Sequence, residues 1–391
     1  MPLSDTNLRN FNFDDNPETA STLPAFTYYD RDWFELEKRQ IFRHSWRCVG
    51  HVGSIPGGGD YLTDSIVDQP VFVLRCHDGS IRAFHNACRH RAHLLLTEAR
   101  GSLRSKLITC PYHAWAYDSS GQLRAAPHCE SIRGFDKSEI HLEELKVEII
   151  MGFIFVNLDP AADDLGPQIA PGVERLARLL PDLESYQLAE EVVFDIAGNW
   201  KNVGDNLLEC YHCQPAHKAF VDLVDMESYS VEVTGLWSWQ GGFCRTRSSA
   251  YNLPEGLPQH EREFATFYIW PDVAFVLFPG SRAIASFVFG ATTPESTHQV
   301  FSVYSPDGEL DDVGRDIFRY FSDVLGPEDV GLVENVQKGL HSMSYQRGRF
   351  FVDPARSYYS EHAVHHLHGL VYRHLRSFIA PAAQTEANPP T

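Results

Sequence analysis

The chain has 391 residues, 43% of them apolar, enough for two or three domains with a sizeable core. Its formal net charge of −19 argues against nucleic acid as a partner, because such binding rests on neutralising phosphates, and is compatible with a cationic substrate or a basic electron donor. No stretch approaches 18 uninterrupted apolar residues, and Met1-Pro-Leu-Ser-Asp-Thr-Asn-Leu lacks the basic-then-apolar pattern of a signal peptide, so no membrane span is expected and the protein reads as cytoplasmic.

In chain order, residues 1–23 are polar and expected to be mobile. Residues 32–42 carry an Asp at the start and apolar residues at helical spacing, which predicts a helix. From 46 to 158 the texture is β: Val71-Phe-Val-Leu and 81–84 are strands around the turn His77-Asp-Gly-Ser, Asp118-Ser-Ser-Gly is a second turn, and Gly152-Phe-Ile-Phe-Val-Asn closes a small β domain. Residues 159–172, rich in Pro, Asp and Ala, read as a linker. A second domain over 173–379 opens with a helix at 173–180. Strands follow at 191–197, 230–238, 264–270, 273–278 and 284–291, and helices at 311–325, 328–343 and 361–378. Residues 1–45 are expected to pack on this second domain, and the tail 380–391 to be disordered.

Two Cys-His pairs stand in the β domain: Cys88-Arg-His90 and, after nineteen residues, Cys110-Pro-Tyr-His113. That is the ligand set of a Rieske [2Fe–2S] cluster, in which two thiolates hold one iron and two imidazoles the other. Replacing thiolates by imidazoles raises the potential to between roughly −150 and +300 mV. Structural zinc also takes two Cys and two His, but a Cys-x-His first pair is unusual for it. No further Cys stands beside either pair, as the disulfide of a respiratory-type Rieske protein requires.

In the second domain, His212 and His217 are five residues apart. On an ideal helix they are about 140° apart, but Pro215 disfavours helix at Gln214. His212 is therefore expected at a helix end and His217 just past a break, free to turn back onto the same metal. A carboxylate completes a 2-His-1-carboxylate triad that leaves positions open for O₂ on Fe(II). Asp329 is the candidate. Gly326-Pro-Glu-Asp starts a helix with Val330, Val333, Val336, Gln337 and Leu340 on one face, although an acid in a first turn also complements the helix dipole.

The runs Cys-Pro-Tyr-His-Ala-Trp, Asp-Asn-Leu-Leu-Glu-Cys-Tyr-His-Cys-Gln-Pro-Ala-His and Pro-Glu-Asp-Val-Gly-Leu-Val-Glu-Asn-Val-Gln resemble the α subunit of Rieske non-haem iron oxygenases, over about 23–374. The resemblance implies Cys88, His90, Cys110 and His113 for the cluster and His212, His217 and Asp329 for a mononuclear iron. It implies that Glu209 bridges His212 to His113 of a neighbouring subunit, within a head-to-tail ring, expected to be a homotrimer. Glu209, where ring-hydroxylating members usually have Asp, looks like the branch acting on quaternary amines. Leu207 departs from the Tyr usual there, and Ala92 from the usual Gly. Electrons are expected from NAD(P)H through a separate flavin and iron–sulfur reductase, since the chain shows no dinucleotide loop of its own.

The fold class expected is α+β: a small β-sandwich Rieske domain, then a catalytic domain with an antiparallel sheet flanked by helices. The reaction expected is O₂-dependent hydroxylation beside a quaternary nitrogen, then C–N cleavage, on a small cationic substrate. An aromatic-ring or O-demethylating oxygenase and a Rieske electron carrier without catalysis are the alternatives. Leu207, Trp237, Trp239, Phe243, Tyr268 and Trp270 are candidates for the pocket, the aromatic ones through cation–π contact. Cys210-x-x-Cys213 is read as part of the iron helix rather than a redox pair. The histidines of the last helix read as solvated or interface residues.

Overall fold

A computed structural model describes residues 11–129 and 131–379. The tail expected to be disordered lies outside the described residues. Asp30 starts helix α1 (Arg31–Glu37) by accepting from the Trp33 N–H at 3.0 Å, and a π turn carries it through Phe42. The segment before it was expected to be mobile, yet from Phe11 onward it is anchored. Phe11 is buried, its ring edge-on to Trp33 and in contact with Tyr372. Burial of such aromatic area offsets the entropy of ordering a polar stretch.

Ten strands follow: β1 (Arg47–His51), β2 (Asp60–Ile66), β3 (Gln69–Arg75), β4 (Ile81–His85), β5 (Arg100–Ser102), β6 (Ile108–Thr109), β7 (Ala116–Tyr117), β8 (Leu123–Ala125), β9 (Glu144–Ile150) and β10 (Phe153–Asn157). One antiparallel sheet has the order β1-β10-β9-β4-β3-β2-β5, and β6-β7-β8 form a second, smaller one. Phe72, Phe84, Ile108 and Tyr117 share the core between them.

Helix α2 (Leu165–Leu179) begins inside the stretch read as a linker. Its own Asp164 makes no side-chain cap. Glu148 of β9 instead accepts from the N–H groups of Leu165 and Gly166 at 2.7 and 3.0 Å, a long-range cap that no local sequence pattern reveals.

The second domain is built on seven antiparallel strands. β11 (Gln187–Ile196) precedes α3 (Trp200–Leu207), α4 (Cys213–Ala216) and α5 (Lys218–Leu223). Then come β12 (Ser230–Thr234), β13 (Trp237–Phe243), β14 (Glu263–Ile269), β15 (Val273–Leu277), β16 (Ile284–Thr293) and β17 (Ser296–Ser305), in the sheet order β11-β17-β16-β15-β14-β13-β12. β17 is a strand the sequence reading missed; its polar first half hides a full pairing with both β16 and β11. α6 (Asp312–Tyr320) runs through a π segment into α7 (Gly326–Leu340), and α8 (His362–Ile379) ends the described chain. On α7, Val333, Gln337 and Leu340 are buried, but Val336, expected on the same face, is 52% exposed.

Side chains alternate across a strand, so this sheet has two distinct faces. Tyr268, Ala274, Val276, Phe287 and Phe301 join the helices in one core. Trp237, Trp239, Phe267, Phe275 and Tyr304 join α2 and the β domain in the other. The helix side is fixed by a buried charge cluster. Glu37 accepts from Trp33 Nε1, Trp200 Nε1 and Lys201 Nζ at 2.8, 2.9 and 2.7 Å, with Glu37 and Lys201 both fully buried. It ties α1 to the start of α3. Among the described residues no helix is long and apolar enough to cross a membrane.

The histidines of α8, read as solvated or interface residues, are spent on the fold. His365 Nε2 meets Asp14 O, His366 Nε2 meets Gly235 O, and His374 Nδ1 meets Leu370 O. His368 accepts from Leu23 N–H through Nδ1, which leaves Nε2–H to donate to Asp205 at 2.9 Å.

Candidate metal centres

The two cluster loops of the β domain repeat one geometry. Cys88 N–H donates to His93 O and Cys88 O accepts from Ala92 N–H; Cys110 N–H donates to Trp115 O and Cys110 O accepts from Ala114 N–H. Each turn closes through an alanine in the left-handed region, Ala92 at φ 57° and Ala114 at φ 54°. That region disfavours a Cβ, and Ala92 is the position where the family usually has Gly. Both cysteines are buried and both histidines exposed. The His90 and His113 rings stand 4.8 Å apart, with Trp115 stacked on His90 at 4.7 Å. Tyr117 Oη lies 3.2 Å from Cys88 Sγ and accepts from Arg89 N–H. Two buried thiols and two exposed imidazoles are a donor set that would hold a [2Fe–2S] cluster.

The second centre forms where α3 ends. The helix stops at Leu207, so Glu209 and His212 lie on the turn that follows rather than on one helix face. His212 caps α4, and His217 occupies the break between α4 and α5 at φ −115°, ψ 73°. Pro215 stands in the first turn of α4, where its missing N–H costs nothing. The chain thus turns back as expected, and His212 Nε2 and His217 Nε2 come within 3.1 Å of each other. Asp329 Oδ1, from the first turn of α7, lies 2.9 Å from His217 Nε2 and 3.5 Å from His212 Nε2. Among the described residues these three are the group whose ligand atoms converge on one point.

Each imidazole is aimed by a carboxylate on its other nitrogen. His212 Nδ1–H donates to Glu209, which also accepts from the His212 backbone N–H at 3.1 Å. His217 Nδ1–H donates to Glu328 at 2.7 Å. Glu328 escaped the sequence reading; its one signal was its place next to Asp329. This pattern fixes the tautomer and turns both Nε2 lone pairs inward, as metal-bound histidines require. The electrostatics agree. Burial opposes a charge on His212, yet hydrogen bonds to Asp329 and Glu209 outweigh it and raise its pKa to about 10. Burial likewise pushes the Asp329 pKa up, but the two imidazoles more than reverse it. Three acids thus draw positive charge to the point where the Nε2 atoms meet. A 2-His-1-carboxylate set with an open side fits Fe(II).

That open side faces a cavity of about 90 Å³. Phe220, Tyr229, Phe264, Phe278, Phe287 and Phe321 supply its aromatic surface, and Leu207, Gln240 and Thr266 also line it. Of the pocket residues expected from sequence, only Leu207 is there. Trp237, Trp239 and Phe243 stand at alternate positions of β13 that place them on the opposite face from Gln240, and the Arg175 guanidinium already covers the Trp239 ring at 4.1 Å. Tyr268 is on the correct face but beyond the cavity, its hydroxyl donating to Pro271 O. Trp270, past the strand end, donates to Ser45 and stacks on His374.

Cys210 and Cys213, set aside in the sequence as helical, form a disulfide with Cα atoms 4.9 Å apart. The chain leaves helix at Leu208, and the turn brings the two thiols together on either side of His212.

Residues 45–136 match the Rieske [2Fe-2S] domain and residues 183–377 the ring hydroxylating alpha subunit (catalytic domain). The chain is 36% identical over 362 residues to the carnitine monooxygenase oxygenase subunit of Escherichia coli (strain K12), covering 92% of this chain and 95% of that one. It is 30% identical to the chloroplastic choline monooxygenase of Arabidopsis thaliana, covering 92% and 84%. The crystal structure of the quaternary ammonium Rieske monooxygenase CntA in complex with L-carnitine superposes with a TM-score of 0.82 at 34% identity, covering 96% of this chain and 99% of that one. A [2Fe–2S] Rieske cluster and a mononuclear non-haem iron are the cofactors of such components. By these matches, and in the fold just described, the chain belongs to the α-subunit family of Rieske non-haem iron monooxygenases.

Proposed function

We propose that this chain is the oxygenase component of a two-component monooxygenase that hydroxylates a C–H bond next to a quaternary nitrogen and so cleaves a C–N bond. The observation that carries this reading is the cavity at the open side of His212, His217 and Asp329. It is walled by aromatic rings, and neither Lys nor Arg is among its lining residues. A desolvated ring face attracts a cation by about 2 kcal/mol, and a trimethylammonium group brings its charge without any N–H to satisfy. The names of relatives agree: carnitine, choline and glycine betaine monooxygenases.

Cys88, His90, Cys110 and His113 would hold the cluster, and His212, His217 and Asp329 the iron, which supplies reductive activation of O₂ when bound. The protein's own part is positional. Glu209 and Glu328 hold the two imidazoles, and the aromatic walls exclude water and place the substrate's C–H bonds. Hydroxylation there gives a carbinolamine, which collapses to a carbonyl compound and a free amine. Electrons come from NAD(P)H through a flavin and iron–sulfur reductase.

Glu209 would pass electrons between centres by meeting His113 of a neighbouring chain. A head-to-tail contact of that kind closes as a ring, and we read the assembly as a cytoplasmic homotrimer. Glu209→Gln, kept iron-loaded by excess Fe(II), should slow product formation by orders of magnitude; a fully active monomer would end this part of the reading. The main test is a product screen with carnitine, γ-butyrobetaine, choline, glycine betaine and stachydrine beside a competent reductase. Turnover of an uncharged aromatic compound in preference to all five would overturn the quaternary-amine assignment.

A further inference from the structure

The sheet side of the cavity carries one polar pair. Gln240 on β13 and Thr266 on β14 stand directly opposite each other, and both are buried and line the cavity. Their neighbours on that wall, Phe264, Val276 and Phe287, are apolar. The Gln240 amide has one possible orientation: Nε2 donates to the Leu207 carbonyl at 2.5 Å, a bond that an oxygen could not make. Its Oε1 is left buried and accepts no hydrogen bond. A buried acceptor without a donor is costly, and in native structures such an atom calls for a specific explanation.

We propose that Gln240, with Thr266 beside it, reads a hydroxyl group on the substrate. The inference rests on the quaternary-amine reading above and narrows it. A quaternary nitrogen has no N–H, so the donor that Gln240 Oε1 lacks must come from another group of the molecule. A carboxylate has no proton to give and would face an oxygen acceptor. A neutral O–H supplies the donor, and its oxygen can accept in turn from the Thr266 hydroxyl. The ammonium head then lies among the phenylalanine rings, and the hydroxyl end lies against β13 and β14.

The test compares two pairs of compounds that differ by one hydroxyl: L-carnitine with γ-butyrobetaine, and choline with ethyltrimethylammonium. Kinetics with the reductase and binding to the holoenzyme are measured for wild type and for Gln240→Met, which keeps length and volume but removes the amide. In wild type the hydroxylated member is favoured by roughly tenfold or more in KM and Kd, because the site's acceptor is otherwise left unpaired. In Gln240→Met that preference falls toward one. Loss of the bond to Leu207 alone would weaken both members of a pair equally and leave the ratio unchanged, which separates recognition from a purely structural role. Equal preference in wild type, or a ratio that survives Gln240→Met, overturns the inference while the quaternary-amine reading stands. If no member of either pair is bound or turned over while glycine betaine or stachydrine is, the inference fails and the quaternary-amine reading stands.

Discussion

Glu328 offers the sharpest test of how the iron site is held. Glu328→Gln keeps the length of the side chain but removes the charge that His217 Nδ1–H meets at 2.7 Å. His217 itself is 2% exposed, so its ring has no solvent to replace a lost partner. A hydrogen bond to a charged group is worth about 1.5–3 kcal/mol. The Glu328 side chain is 39% exposed, which screens its charge, and the amide oxygen still accepts. The low end, about 1.5 kcal/mol, is therefore expected, or about tenfold weaker iron binding, within the range that partners of metal-bound histidines show. The assay is withdrawal of iron by a ferrous chelator, with the cluster absorbance as internal reference because the cluster lies in the other domain. Glu209→Gln should lose more, since Glu209 is 12% exposed and holds both Nδ1 and the backbone N–H of His212. Unchanged iron affinity in Glu328→Gln, or loss of cluster and iron together, would refute the argument.

Three other outcomes follow from the packing. Glu37→Ala leaves Lys201 buried without its counter-charge and should cost about 3–5 kcal/mol in thermal or urea unfolding; adding Lys201→Met should recover much of that loss, and a single variant as stable as wild type would contradict it. Burial lowers the His51 pKa to about 4 from its ordinary 6.5. Between those values the unfolded chain binds more protons, so stability is full above pH 6.5 and falls by about 3 kcal/mol as pH drops to 4; His51→Gln should flatten that slope, and an identical slope would count against it. Alkylation of denatured, never-reduced protein should find Cys210 and Cys213 blocked and Cys48, Cys76, Cys129 and Cys244 labelled; label on Cys210 or Cys213 would exclude the disulfide.

What was legible in the sequence was local. Cys88-x-His90 and Cys110-x-x-His113 each fit one turn, and Pro215 announced the break that lets His217 face His212. Alternation along β13 is visible in the same way: Trp237 and Trp239 share one face, Ser238 and Gln240 the other. Alternation cannot say which face meets the iron. That is decided by what packs on each side, and the bulky aromatics of β13 went to the side that α2 and the β domain cover. The cavity was therefore left to phenylalanines from α5, β14, β16 and the segments after β15 and α6, together with the polar Gln240 and Thr266. The cap on α2 from Glu148 and the carboxylate on His217 from Glu328 were illegible for the same reason. Each joins segments 17 or 111 residues apart, and no local pattern records which acid reaches which donor. Candidate metal ligands such as His212 and His217 stand out by type and spacing, whereas residues that line a pocket depend on register and on which face is covered. Gln240 belongs to the second kind, and it was its unpaired Oε1, rather than its place in a motif, that brought it to notice.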